Sequence, residues 1–140
     1  MFGGSVLICD DEEGMLRYLK KMIEAAGLRV ETFGNGTSLL ARIEGGAPGD
    51  ASLLLQDMRL SDADGLQILH RVKELRPALP VVMMTAYACD EVIRAAFDGG
   101  ASDFLPKPFS RETVLGVIRS VAEPHRGRSR PGATVTAGIK

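Results

Sequence analysis

Neither sign of charge is in excess: 17 Lys and Arg stand against 18 Asp and Glu, for a formal net charge of -1. This excludes the basic bias of a chain that binds nucleic acid over its whole surface. With 45% hydrophobic residues it also excludes the acidic, core-poor composition of a disordered one. Cysteine is scarce. Cys9 and Cys89 lie far apart with no Cys-x-x-Cys or Cys/His spacing, so they read as reduced thiols rather than a disulfide or metal ligands. Long apolar runs are missing too. The opening MFGGSVLICDDEE has no basic segment, so neither a secretory signal nor a membrane anchor is expected and a cytoplasmic setting is. Neither GxxxxGK[ST] nor GxGxxG occurs, which removes the common nucleotide-binding loops. A length of 140 residues supports one globular core with a short appendage, not two ordinary domains. Function must therefore lie in local constellations.

What is present is alternation. Short β-rich runs exchange with segments of helical period up to about residue 122, the pattern of an α/β domain with a parallel sheet. Val6–Cys9 reads as a strand, followed by a helix with Met15, Leu16, Leu19, Met22, Ile23 and Ala26 on its apolar face and Gly27 at its end. A strand around Arg29–Phe33 precedes a helix bearing Leu39, Leu40 and Ile43, then a loop at Pro48, Gly49 and Asp50. Leu53, Leu54 and Leu55 form an unbroken apolar run, as a strand covered on both faces requires, so this strand should be central. A third helix follows Asp64-Gly65, burying Leu66, Ile68, Leu69, Val72 and Leu75 and stopping at Pro77. Pro80–Met84 supplies the fourth strand. Asp90 is the expected N-cap of a helix with Val92, Ile93, Ala96 and Phe97, ended by Gly99-Gly100. Phe104 and Leu105 mark a short fifth strand, and Ser110 should cap a last helix burying Val114, Val117, Ile118 and Val121. Residues 123–140 have no period and carry a few basic side chains. They read as a flexible tail or a linker, with a basic arm contacting an output partner or nucleic acid as the less favoured alternative.

In an open α/β sheet, ligands bind beyond the carboxyl ends of the strands. Asp10 and Asp11 follow the first predicted strand, Asp57 the third, Thr85 the fourth and Lys107 the fifth. Singly, each has an ordinary explanation as a helix cap, a β-branched strand end or a surface lysine. Their joint placement on one edge does not. Clustered carboxylates repel one another and suit a hard divalent cation, and an incomplete carboxylate cage suits Mg²⁺ with a phosphate. Lys107 and the Thr85 hydroxyl can hold phosphoryl oxygens, and an aspartate here can act as the nucleophile that forms an acyl phosphate.

The segments VLICDDEE, LLLQDMRLSDADGL, VVMMTAY and GGASDFLPKPF resemble, in order and spacing, the signatures of two-component response-regulator receivers of the chemotaxis-regulator type. The resemblance implies a single flavodoxin-like (βα)5 domain over residues 1–122 with a parallel sheet in the order 2-1-3-4-5 and helices on both faces. It implies phosphorylation of Asp57 from a histidine kinase or phosphotransfer protein, Mg²⁺ held by Asp10, Asp11, Asp57 and the Arg59 carbonyl, and phosphoryl contacts from Thr85 and Lys107. It places a cis peptide bond at Lys107-Pro108. It makes Thr85 and Phe104 the switch pair, with Phe104 moving from an outward to an inward rotamer. The fourth helix, fifth strand and fifth helix then face an output domain, a downstream protein or a second copy after phosphorylation, with no direct contact to nucleic acid or membrane. Arg59 and Tyr87 flank the path of water to phosphorus and should set the lifetime of the phosphorylated state. Such a module catalyses its own modification and has no separate substrate turnover.

The sequence departs from most such relatives at Ser61, where they carry Pro, at Gln56, a polar residue before the acceptor, and at Ala51-Ser52, where the third strand usually starts acidic. A haloacid-dehalogenase-type phosphatase, the strongest rival, would need DxDxT after the first strand, where this chain has DDEE. A degenerate receiver acting only as an interaction module would have lost the acceptor, the lysine or the acidic pair, and all are present.

Overall fold

The computed structural model describes residues 4–47 and 49–122, so the expected tail at 123–140, and Pro48 in its loop, lie outside the described residues. The elements run β1 (Ser5–Cys9), α1 (Glu13–Ala25), β2 (Val30–Phe33), α2 (Gly36–Gly45), β3 (Ala51–Asp57), α3 (Gly65–Leu75), β4 (Val81–Thr85), α4 (Asp90–Asp98), β5 (Asp103–Pro106) and α5 (Arg111–Ala122). All pairings between the strands are parallel and the sheet order is β2-β1-β3-β4-β5, as the resemblance implies.

The unbroken apolar strands follow from burial on both faces. On one face Leu7, Leu54, Val81 and Met83 pack with Leu39 and Ile43 of α2, Leu69 and Val72 of α3, and Ala96 of α4. On the other, Val6, Ile8, Leu53, Leu55, Val82 and Met84 pack with Leu19 and Ile23 of α1 and Val114 and Ile118 of α5. The central strand β3 has Leu53, Leu54 and Leu55 fully buried. Burial of each such leucine stabilises the fold by roughly 1.5–3 kcal/mol before chain entropy is counted.

The helix ends hold two corrections. Asp90 is the first residue of α4 rather than its cap; Cys89 takes the cap position without a side-chain hydrogen bond. Asp90 and Glu91 instead place negative charge in the first turn, where the helix dipole favours it. Ala26 is exposed at the C-cap of α1, because the chain is already turning toward Gly27, whose φ is 94°. Ser110 does cap α5, accepting from the Thr113 amide at 3.1 Å. No helix among the described residues is long and apolar enough to cross a membrane.

Candidate functional site

Four of the five strands, β1, β3, β4 and β5, each deliver one side chain to the carboxyl edge of the sheet. Asp57 is the last residue of β3 and Thr85 the last of β4, while Asp10 and Lys107 follow β1 and β5 directly. Asp10, Asp57 and Thr85 are buried, at 1%, 7% and 4% exposure. Polar groups so deeply placed must find partners. The Lys107 ammonium donates to Asp10 Oδ2 at 2.8 Å and lies 2.9 Å from Asp57 Oδ1. The Glu12 amide donates to Asp10 Oδ1 at 2.9 Å, and the Arg59 amide to Asp57 Oδ2 at 3.2 Å. Lys107 is fixed from behind by its own amide, which donates to the Thr85 carbonyl at 2.7 Å, and its bond to Pro108 is cis, as the resemblance implies.

Burial raises the Asp57 carboxyl above the ordinary carboxylate range; the Lys107 hydrogen bond opposes this and the neighbouring Asp10 charge adds to it. For Lys107, burial pulls downward, but the bonds to Asp10 and Asp57 outweigh it and the ammonium is held more firmly than usual. Thr85 Oγ1 accepts from the Tyr87 amide at 3.0 Å. Its hydroxyl proton has no acceptor among the described residues and can serve an incoming one.

Asp10, Asp11 and Asp57 each offer an oxygen within 4.8 Å of the others, with Asp11 exposed. Such a hard, all-oxygen donor set fits Mg²⁺, which takes few carboxylates and keeps waters and a phosphate oxygen as its other ligands. The Arg59 carbonyl fits as a further ligand in one respect. The loop after β3 closes through Gly65 N–H to the Met58 carbonyl and Leu60 N–H to the Ala63 carbonyl, so the Arg59–Asp64 pairing is made without it.

An open pocket of about 260 Å³ joins these groups, and Ala86, Tyr87 and Arg59 line its mouth. The Arg59 guanidinium lies over the Tyr87 ring, 5.1 Å from its centroid. The two residues expected to flank the approach of water are therefore stacked on each other. Phe104 is buried, at 9% exposure, beside Met83. The outward rotamer expected as the starting position of the switch is not the one in this structure; the ring belongs to the buried cluster between the sheet and α2, α3 and α4.

Two residues near the acceptor escaped the sequence reading. Gln56, noted in the sequence only as a polar departure before the acceptor, is fully buried and its Nε2 donates to the Asp57 carbonyl at 3.0 Å; a polar residue inside an apolar strand was the available signal. Gly65 allows α3 to start against the acceptor strand, since a Cβ there would run into the Asp57 carbonyl and Met58 Cα. Cys9, by contrast, keeps its plain role: burial, the largest influence, pushes its thiol up to about 12.

The response regulator receiver domain family model matches residues 6–119. The DNA-binding transcriptional regulator NtrC of Salmonella typhimurium is 32% identical over 128 residues, covering 91% of this chain but only 27% of that protein. The chain thus spans a minor part of the length of the curated relatives it matches first. The receiver domain of NtrX from Brucella abortus superposes with a TM-score of 0.79 at 30% identity, covering 86% of this chain and 100% of that one. The BeF3-activated receiver domain of DrrB, a Thermotoga maritima protein, does so with 0.78 at 27%, covering 89% and 100%. Matched by the family over most of its length, and carrying the five-stranded sheet of its solved relatives, the chain belongs to the response regulator receiver domains of two-component systems.

Proposed function

We propose that this domain accepts a phosphoryl group on Asp57 from a histidine kinase or phosphotransfer protein, in a Mg²⁺-dependent reaction. The observation that carries the reading is the Lys107 ammonium set between Asp57 Oδ1 and Asp10 Oδ2. A carboxylate oxygen of Asp57 attacks phosphorus; the O–P bond forms as the N–P bond of the donor's phosphohistidine breaks, and the imidazole, protonated on its other nitrogen, leaves neutral beside the acyl phosphate. Lys107 then offers a compact positive charge to the transferring oxygens, and the free Thr85 proton donates to another. Asp10, Asp11, Asp57 and the Arg59 carbonyl would hold Mg²⁺, which supplies charge neutralisation between carboxylates and phosphoryl group. The strands behind Asp57 are buried, and Arg59 and Tyr87 line the open side of the pocket.

On this reading the domain turns over no separate substrate and works in the cytoplasm. Its output is a population shift in which Thr85 follows the phosphoryl group and Phe104 exchanges between the buried position seen here and an exposed one. A few kcal/mol of differential interaction suffices for such a shift. The α4–β5–α5 face would carry it to an output domain, a downstream protein or a second copy. The test is labelling by acetyl phosphate with Mg²⁺: wild type gains one acid-labile phosphoryl group, and Asp57→Asn or chelation abolishes it. Equal labelling of Asp57→Asn would overturn the assignment.

A further inference from the structure

The loop between β3 and α3, residues 58–64, presents Arg59 to the site on one side and reaches α2 on the other. At its tip the Asp62 carboxylate accepts from the amides of Gly36 at 2.9 Å and Thr37 at 3.1 Å, and from the Thr37 hydroxyl at 2.9 Å. Those amides belong to the first turn of α2 and have no partner within their own helix. The helix's own cap, Asn35, serves only the next amide, Ser38. The backbone bonds from Gly36 and Thr37, the two largest influences, hold the Asp62 carboxyl below its ordinary range. The fit is close, because a Cβ at Gly36 would lie 2.5 Å from Ile68 Cδ1 and 3.2 Å from Ala63 Cβ. Glycine is what lets the helix come down on the loop.

α3 does not need this contact. It has its own cap, Asp64, which accepts from the Leu66 amide at 2.9 Å. At the loop tip the contact adds a tie to α2 that the loop's own backbone bonds do not supply. Its closing bonds run from Leu60 N–H to the Ala63 carbonyl and from Gly65 N–H to the Met58 carbonyl, leaving Ser61 and Asp62 outside. Ser61 also lacks the fixed φ that a proline would impose. Between these closing bonds lies Arg59, whose amide holds Asp57 Oδ2.

We propose that Asp62 is a positioning residue of the phosphotransfer site: by tying the loop tip to the first turn of α2, it fixes the Arg59 backbone against Asp57. The proposal rests on the reading of Asp57 as phosphoacceptor. It assigns a role to an exposed aspartate that touches neither phosphoryl group nor metal, and it makes α2 part of what sets the acceptor geometry. Loss of the tie frees the tip, widens the range of Arg59 positions and lowers the fraction of molecules in which Asp57 is aligned for attack.

The test compares wild type, Asp62→Ala, Asn35→Ala and the double variant Asp62→Ala/Ser61→Pro, in phosphorylation rate by acetyl phosphate with Mg²⁺ and in urea stability. Asn35→Ala removes an α2 cap of similar kind without touching the loop. Ser61→Pro stiffens the loop without restoring the contact to α2, and among the described residues the Ser61 amide makes no hydrogen bond that it would break. Asp62→Ala is expected to slow labelling about tenfold, less than the roughly hundredfold that an ångström of misplacement can cost. Asn35→Ala should label at the wild-type rate whatever its stability, and the proline should restore most of the lost rate. Wild-type labelling by Asp62→Ala, equal slowing by Asn35→Ala, or no relief from the proline each overturns the proposal. A wild type that takes no label overturns the phosphoacceptor reading, and the positioning role with it; failure of the tether alone leaves wild-type labelling intact.

Discussion

Lys107 donates to Asp10 at 2.8 Å across 97 residues of chain, so the ends of β1 and β5 are joined by one ion pair over the two strands between them, β3 with Asp57 and β4 with Thr85. Both groups are largely withdrawn from water, with side-chain exposures of 15% and 1%. Removing one partner of such a pair leaves an uncompensated buried charge, a loss of about 3–5 kcal/mol when nothing relaxes. Here Asp57, already raised by burial, can take up a proton and soften the loss. Lys107→Ala should therefore cost about 2–3 kcal/mol in chelator. Mg²⁺ should restore more stability to the variant than it adds to wild type, because the cation no longer competes with the ammonium. Thermal melts with and without Mg²⁺ check this; an equal metal response in both proteins would refute it.

At the opposite edge of the sheet Arg42 binds Glu31 at 2.7 Å and Asp50 at 3.1 Å, with Arg76 on the other Asp50 oxygen at 3.5 Å. The Arg42 hydrogen bond lowers the Glu31 carboxyl; the Ala47 amide and then Arg42 lower that of Asp50. A depressed folded pKa gives stability that is present above the unfolded value, about 4.3 for Glu and 3.9 for Asp, and is lost as pH falls through the folded value. Wild type should weaken in acid from about pH 5 downward, and Arg42→Met should flatten that fall. The effect should be no more than about 1 kcal/mol, since both carboxylates are partly in water. Urea midpoints at pH 7 and pH 4 decide it: a variant that loses as much stability on acidification as wild type would show the network to be inert.

Gln56 is fully buried, and its Oε1 has no hydrogen-bond partner among the described residues. An orphaned acceptor costs about 1–3 kcal/mol, while the bond from Nε2 to the Asp57 carbonyl is worth about 1. The orphan outweighs the bond. Gln56→Met, of similar volume, should be more stable by roughly 1 kcal/mol. Gln56→Glu should lose more than about 2 kcal/mol by burying a carboxyl without a cation beside it. Denaturant unfolding of the two variants tests the ordering, and a Met variant less stable than wild type would mean that the amide bond matters more than the orphan.

Much of this architecture was legible because parallel strands buried on both faces must be apolar throughout, as Leu53–Leu55 are, and because a sheet edge collects whatever follows each strand. Asp10, Asp57, Thr85 and Lys107 could be placed together on that ground alone. Helix ends were harder. Ser110 and Asp90 look alike as caps, and only the path of the preceding backbone makes one a cap and the other a first-turn residue. The burial of Phe104 depends on how closely α4 lies to β5, which no local pattern encodes. Pairings such as Asp62 with Gly36 and Arg42 with Glu31 need the route of two loops before either partner can be named.

The stack of Arg59 on Tyr87 bears on how long phosphorylated Asp57 would survive. Hydrolysis needs a water placed in line behind phosphorus, and an unplaced water forgoes much of the advantage that proximity gives. Arg59 is anchored at its backbone by the bond to Asp57 Oδ2, and Tyr87 by its amide on Thr85 Oγ1, so both side chains stand at the pocket mouth. Each also fixes the other through the cation–π contact at 5.1 Å, which at an exposed site is worth about 0.5–1 kcal/mol. Arg59→Asn and Tyr87→Glu should each speed loss of the phosphoryl label several-fold. Because either change also releases its stacking partner, the double variant should lose label more slowly than the product of the two single effects requires. The shortfall should match the contact, about two- to fivefold in rate. Label decay in the four proteins under one Mg²⁺ concentration measures it. Single variants that decay at the wild-type rate would show that the stack shields nothing, and strictly multiplicative effects would show two independent covers instead of one.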